Sequence, residues 1–271
     1  MIAPDFHPTA EDQGFVATED WPDVTRMLDG FGEPSLGPSR ALEGRSFSVE
    51  LEGDRVIAYA FAEGRLTWEV TAGQGAGAAG AHRYRAVELR PGIFFIDFLA
   101  GEGAHQRNVS IVLDLGDGRV TLADSRFVDR KGSIRMETEI LSGRLSGTGE
   151  IEPRPFSAEL VGKRIFYRYS PTEQYEHIYL NRGTFVWHCV RGGEAGLADV
   201  DPIQVWAVAD DLVLLHWSET VMPVESIVAI DLKLKRSIGR MFCWDGPTLA
   251  PVQIPFDSEF TVLSDTRYPR D

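Results

Sequence analysis

The chain has 271 residues, of which 43% are hydrophobic and 25% charged, ordinary values for a globular protein. That length suits one large β-domain or two small ones. A net charge of −14 repels polyanions and so argues against nucleic acid and anionic membrane as partners.

Residues 1–40 are rich in Pro, Gly and acid, and are expected to form an arm rather than a domain. One short helix is expected within them. Asp20 or Asp23 caps it, Pro22 suits its first turn, Val24, Met27 and Leu28 form its apolar face and Gly30 ends it. The first residues are acidic and lack the apolar run of a signal peptide, and nothing matches the length of a membrane-spanning helix. Cys189 and Cys243 lie among apolar residues and read as buried reduced thiols, which points to a cytoplasmic location.

From Ala41 the pattern turns to strands. SFSVELEG, RVIAYAFAEG and RLTWEVTAG each end on turn residues. GQGAGAAGAH reads as a loop by composition, and it lacks the strand–loop–helix setting of a phosphate cradle. HRYRAVELRPG, IFFIDFLAG, RNVSIVLDLGDG and RVTLADSRFVD follow, with Gly116-Asp117-Gly118 as a hairpin signal. SIRMETEILSGRLSG alternates like a further strand, and GTGEIEPRPF reads as a linker.

The pattern then repeats. Leu42-Glu43-Gly44-Arg45-Ser46-Phe47 returns as Leu160-Val161-Gly162-Lys163-Arg164-Ile165-Phe166 with one insertion, and Leu66-Thr67-Trp68 returns as Phe185-Val186-Trp187. The SIVLDLGDGRV segment returns as SIVAIDLKLKRSIG. The offset is roughly 117 to 119 residues, too long for a solenoid and right for two copies of one domain. Seven to nine short strands per copy are best accommodated by closing each sheet, which removes its edges. The expected fold is therefore all-β: an arm over 1–40, a first antiparallel barrel over 41–150 and a second over 157–271.

The second copy concentrates phenol, imidazole, indole and carboxylate groups. Strand alternation puts Tyr167 and Tyr169 on one face, and Tyr175, His177 and Tyr179 on one face of the next strand. Trp187 and His188 point to opposite faces, as do His216 and Trp217, whereas Trp217 shares its face with Glu219. Small barrels fill with aliphatic side chains, so polar groups on an inner face require partners or a purpose. Each Tyr or His taken singly reads as packing; their combination reads as a pocket. Metal binding requires converging ligands, and the parities of His177, His188, His216 and Glu219 do not agree. No metal and no cofactor are expected.

The segments GKRIFYRYS, YEHIYLN, FVWHCVRGGEAGLADVDP, LLHWSE and GRMF resemble the MoaF family, named for molybdenum cofactor biosynthesis protein F. The first half resembles that family's N-terminal domain more loosely. The resemblance implies two tandem lipocalin-like (calycin) barrels. The second half also resembles, more distantly, the phenolic acid decarboxylases. Tyr167 and Tyr169 stand where those enzymes have paired tyrosines, Tyr175 where they have a third, and Glu219 of Trp217-Ser218-Glu219 where they have an acid. His188 stands where they carry an arginine, so the fork that would hold a carboxylate is missing.

Two functions follow as expectations. One is a cofactor-independent lyase or isomerase acting by proton transfer on a small hydrophobic or aromatic molecule. Glu219, His188, Tyr167 and Tyr169 would do the chemistry, and Tyr175, His177, Tyr179, Trp187, Trp206, His216 and Trp217 would line the site. The other is a non-catalytic binder of a small hydrophobic molecule or biosynthetic intermediate, in a molybdenum-cofactor or monoamine setting. The first copy has Val49 and Leu51 at the positions of Tyr167 and Tyr169, and is expected to be structural or to bind something apolar. Assembly as a homodimer is left open.

Overall fold

The computed structural model describes residues 16–17, 20–21, 24, 30–267 and 269. The first half forms nine strands: β1 Ser46–Leu51, β2 Arg55–Ala62, β3 Arg65–Ala72, β4 Ala79–Arg83, β5 Arg85–Arg90, β6 Ile93–Ala100, β7 Arg107–Asp114, β8 Arg119–Arg130 and β9 Ser133–Leu145. The second forms eight: β10 Lys163–Arg168, β11 Gln174–Asn181, β12 Thr184–Arg191, β13 Ala198–Ala209, β14 Leu212–Ser218, β15 Val224–Asp231, β16 Arg236–Asp245 and β17 Ala250–Asp265. All pairings are antiparallel between chain neighbours, and the first strand of each copy pairs with the last, β1 with β9 and β10 with β17. The second copy is a closed barrel. The first is an open sheet whose two edges, β4 and β5, are separated by Tyr84 alone. In the second copy the same path is the single strand β13, which pairs with both neighbours and completes the closure.

The duplication is visible hydrogen bond by hydrogen bond. Gly44 donates to the Phe61 carbonyl and Gly162 to that of Tyr179, both glycines at positive φ. Gly77 donates to Val70 and Gly196 to Cys189, closing the loop after the third strand of each copy. The small-residue stretch read as a loop ends earlier than expected, because β4 begins at Ala79. Gly80 is small for a steric reason: a Cβ there would meet the Trp68 indole at 2.8 Å and the His82 ring at 2.7 Å.

Each barrel has its own apolar interior. A third cluster joins the outer faces of the two, with Val87, Leu89 and Phe95 from the first against Leu212, Leu214 and Ile238 from the second. A buried polar network crosses the same seam. Arg240, fully buried, donates to Glu225 at 2.8 Å, to Ser125 at 2.9 Å and to Ser110 at 3.0 Å. Arg90 grips Asp231 through two bonds of 2.8 and 2.9 Å. The linker contributes Arg154, which donates to the Val208 carbonyl at 3.0 Å and to Thr121 at 3.2 Å. The barrels are thus fixed to each other by apolar burial and by satisfied buried charges.

The arm crosses the second barrel. Ser35 and Leu36 donate their amides to Asp257 on β17, and Phe31 is buried in the second barrel's core with Val24. Val24, Gly30 and Phe31 are helical; Pro22, Asp23, Met27 and Leu28 of the expected helix lie outside the described residues. Both cysteines are buried and unpaired. Among the described residues no helix is long and apolar enough to cross a membrane.

Candidate functional site

Strand alternation decides which aromatic side chains meet. On β11 Tyr175, His177 and Tyr179 face inward, on β12 Trp187 does, and on β14 Trp217 does. All of these but Tyr179, together with Tyr169, Glu194, Glu219, Met241, Phe256 and the arm's Phe31, enclose a cavity. Phe31 packs into this ring of aromatics, 5.0 Å from Tyr169, 5.9 Å from Tyr175 and 6.2 Å from Phe256. About 20 Å³ remains, room for about one water. At the rim Trp21 packs edge-on against Trp187 at 5.7 Å.

Below the cavity the polar groups satisfy one another. The hydroxyls of Tyr167 and Tyr179 are 2.9 Å apart, and His177 Nδ1 is 3.3 Å from the Tyr179 oxygen. Burial lowers the His177 value to about 3, so this imidazole is neutral and its ring serves as packing. Tyr167 and Tyr179 stay within this floor and do not reach the cavity.

The reactive character lies in the carboxyls. Glu219 is held well above the ordinary carboxylate range, first by burial, then by repulsion from Glu194, Asp201 and Asp199. Its Oε2 and the Trp217 Nε1 are buried with no hydrogen-bond partner. Glu194 is 3% exposed; burial raises it to about 7, against the hydrogen bond from Tyr175. That bond, from the Tyr175 hydroxyl to Glu194 Oε2, is 2.8 Å, while Oε1 has no partner. Behind Glu194, Glu173 accepts the Gly193 amide at 3.0 Å. Asp201 holds the wall in place by accepting the Trp187 indole at 2.9 Å and the Thr220 amide at 3.0 Å.

Besides Tyr167 and Tyr179, three expected site residues lie outside the cavity. His188 points outward, 41% exposed and 3.8 Å from Glu176, because it neighbours the inward Trp187 on the same strand. His216 faces the seam between the barrels, near Glu225 and Arg240, with its Nε2 buried and unpartnered. Trp206 packs on the outer wall, stacked 5.8 Å from Phe156 of the linker. Glu194 and Phe31 were not singled out by sequence reasoning. For Glu194 a signal existed: it occupies a turn that in the first copy carries Gly75, so a carboxyl has been placed where the duplicated loop has no side chain. Phe31 offered none, because an arm has no periodicity from which to read a facing. Among the described residues no cluster of three His, Cys, Asp or Glu side chains is arranged to hold a metal ion.

Comparison with known proteins places this geometry in a family. The MoaF N-terminal domain matches residues 19–129 and the MoaF C-terminal domain matches residues 154–266. Protein MoaF of Klebsiella aerogenes is 35% identical over 202 residues, covering 68% of this chain and 75% of that protein. The chain belongs to the MoaF family. The N-terminal match runs from the arm into β8, and the C-terminal match covers the closed barrel of β10 to β17. Among solved structures, a putative beta-lactamase from Burkholderia vietnamiensis aligns at a TM-score of 0.33 and 19% identity, over 44% of this chain and all of that one. The beta subunit from DNA polymerase of Streptococcus pyogenes aligns at 0.14 and 6%, over 84% of this chain and 80% of that one. Neither likeness is close enough to bear on fold or function.

Proposed function

We propose that this MoaF-family protein uses its second barrel as a cofactor-independent acid–base site, of the lyase or isomerase kind, for a small one-ring molecule. The observation that carries the reading is the pair of cavity carboxyls, Glu219 and Glu194, each with a buried oxygen that has no partner. Glu219, held protonated, is the acid. Glu194, raised to about 7, is ionised part of the time at neutral pH and takes a proton on Oε1 while Tyr175 steadies Oε2. A pair of carboxyls in one site, one giving and one taking a proton, is the usual arrangement for moving a proton from one substrate atom to another. Tyr169, in the cavity wall, supplies a hydroxyl for a substrate oxygen. His188 has no part in this scheme, and Glu194 takes the place expected for it.

The cavity also limits the substrate. With Phe31 in place a ligand does not fit, so the substrate takes the space of the Phe31 ring and is of about that size. No lysine or arginine lines the cavity among the described residues, and a substrate carboxylate would meet two acids without a countercharge. A neutral or cationic aromatic molecule fits this lining, and decarboxylation of a phenolic acid does not.

Deuterium exchange into phenylacetone, followed by proton NMR, tests the scheme directly. Wild-type protein should accelerate exchange at the carbon beside the carbonyl. Glu219→Gln and Glu194→Gln should each slow it by about 10² to 10⁴, the usual worth of a positioned acid or base. Exchange unchanged in Glu219→Gln would remove Glu219 from the chemistry. The alternative is a non-catalytic binder whose ligand takes the Phe31 space without reacting. It predicts that benzyl alcohol raises the melting temperature equally in wild type and Glu219→Gln with no exchange in either.

A further inference from the structure

The duplicated fold has a duplicated interior. With the turns aligned, Tyr175, His177 and Trp187 correspond to Ile57, Tyr59 and Trp68, and both triples line a cavity. The contents differ. No described part of the arm enters the first barrel, whose cavity measures about 720 Å³, within the range of small-molecule sites. Its depth is apolar, with Ile57, Val70, Val109 and Leu122 buried in the wall.

The mouth carries three guanidinium groups, Arg55, Arg107 and Arg126, and three carboxylates, Asp124, Glu137 and Glu139. The carboxylates are mostly engaged. Asp124 accepts two bonds from Arg107, that from Nε at 2.8 Å. Glu137 accepts from Arg126 at 3.0 Å and from Arg130, and Glu139 is exposed to solvent. Arg55 is half-buried and its guanidinium has no hydrogen bond or ion pair among the described residues. Tyr59, 5% exposed, stands within reach of its charge. The Trp68 indole nitrogen is buried without an acceptor. The Arg107 guanidinium is pushed down by burial and then by Arg126 and Arg55, so positive charge is crowded at this mouth. The cavity thus offers donors that lack acceptors above an apolar well.

We propose that the first barrel is a binding site for small amphipathic carboxylates, with the head group on Arg55 and the apolar body against Ile57, Val70, Val109 and Leu122. A guanidinium that is half-buried and unpaired binds a carboxylate through charge-assisted hydrogen bonds, which a neutral head cannot reproduce. This site is independent of the acid–base reading of the second barrel, and it selects the opposite charge.

Isothermal titration of the full chain with decanoate, decanol and decyltrimethylammonium, below their micellar concentrations, distinguishes the outcomes. Decanoate should bind at one site per chain at least about tenfold more tightly than decanol, the equivalent of one charge-assisted bond, and the cation should not bind. Arg55→Gln should bring decanoate down to the decanol level without altering decanol. Ala100→Trp, which fills the cavity, should abolish both, and Glu219→Gln should change neither. The proposal is overturned by absent saturation with decanoate, by equal affinity for decanol, by unchanged affinity in Arg55→Gln, or by loss of decanoate binding in Glu219→Gln.

Discussion

Glu194 couples the site to stability through its proton. Its folded value of about 7 lies above the ordinary 4.5, so the folded state penalises the charged form. Below about pH 4.5 both states carry the proton and the penalty is absent. Between 4.5 and 7 the unfolded chain releases its proton first, so stability falls as pH rises; above 7 the loss is complete, on the order of 3 kcal/mol. Glu194→Gln should remove this part of the pH dependence. Urea unfolding midpoints of variant and wild type should agree near pH 4.5 and separate in the variant's favour by pH 8. Tyr175→Phe should act in the other direction on the same group. It removes the hydrogen bond that lowers Glu194, and carbon-detected NMR should place the carboxyl above about 7. A titration unchanged in Tyr175→Phe would show that the 2.8 Å bond does not stabilise the ionised acid. The thiols carry no comparable role: burial pushes Cys189 up to about 12 and Cys243 well above its usual value, which keeps both unreactive at neutral pH.

At the scale of elements, the loop between β12 and β13 and the arm are built around a single carboxylate. Glu173 lies between Gly192 and Gly30, and a Cβ on either glycine would overlap its side chain. Gly192 also holds a φ of +141°, a conformation that L side chains rarely adopt. This loop presents Glu194, so its path sets the geometry of the site. Gly192→Ala should destabilise the protein by roughly 1–3 kcal/mol, the cost of one strained backbone position. It should also displace Glu194, visible as a changed carboxyl titration. A variant with wild-type melting temperature and wild-type Glu194 titration would show that the loop yields without cost. The arm follows the same logic from the other side: Phe31 is held by packing and by the anchor of Ser35 and Leu36 on Asp257, and it occupies the volume a ligand needs.

The two barrels act as one molecule because the seam between them is buried and charged. Arg240 and Glu225 are both inaccessible to solvent, and burial of Glu225 is outweighed by Arg240, His216, Thr138 and Ser125, so its carboxyl lies below the usual range. Removing one member leaves the other charged and unpaired, which costs 3–5 kcal/mol in comparable buried pairs. Arg240→Ala should therefore lose about that much stability. Calorimetry should show one transition in wild type and two in the variant, as the barrels lose the coupling across the seam. A double replacement, Arg240→Met with Glu225→Gln, should recover part of the loss, because Glu225 is then no longer a stranded charge while Asp97, 3.8 Å from Arg240, keeps only its bonds from Asn108, Ser110 and Gln253. If Arg240→Ala unfolded in one transition at the wild-type temperature, the network would be incidental to the assembly.

Period-two alternation, turn residues and the internal repeat were enough to read two antiparallel barrels and their arm from the chain alone, because strand facing and hairpin chemistry are local properties. The same alternation put Tyr175, His177 and Tyr179 on one shared face and Trp217 with Glu219 on another, without saying which faces turn inward. It also put His188 on the face opposite Trp187, so the two expected site residues do not line one cavity, and it is His188 that lies outside. What alternation does not carry is depth along a strand or the identity of what lies across the barrel. Tyr167 and Tyr179 share the inward face yet bond to each other below the cavity, and His216 and Trp206 point outward onto the seam with the first barrel. Glu194 and Phe31 come from a loop and an arm, whose directions are set by contacts with residues distant in sequence. The capacity of the two interiors was likewise decided in three dimensions. The first barrel, poorer in reactive groups, keeps an open well of about 720 Å³, while the richer second barrel is closed by the chain's own Phe31.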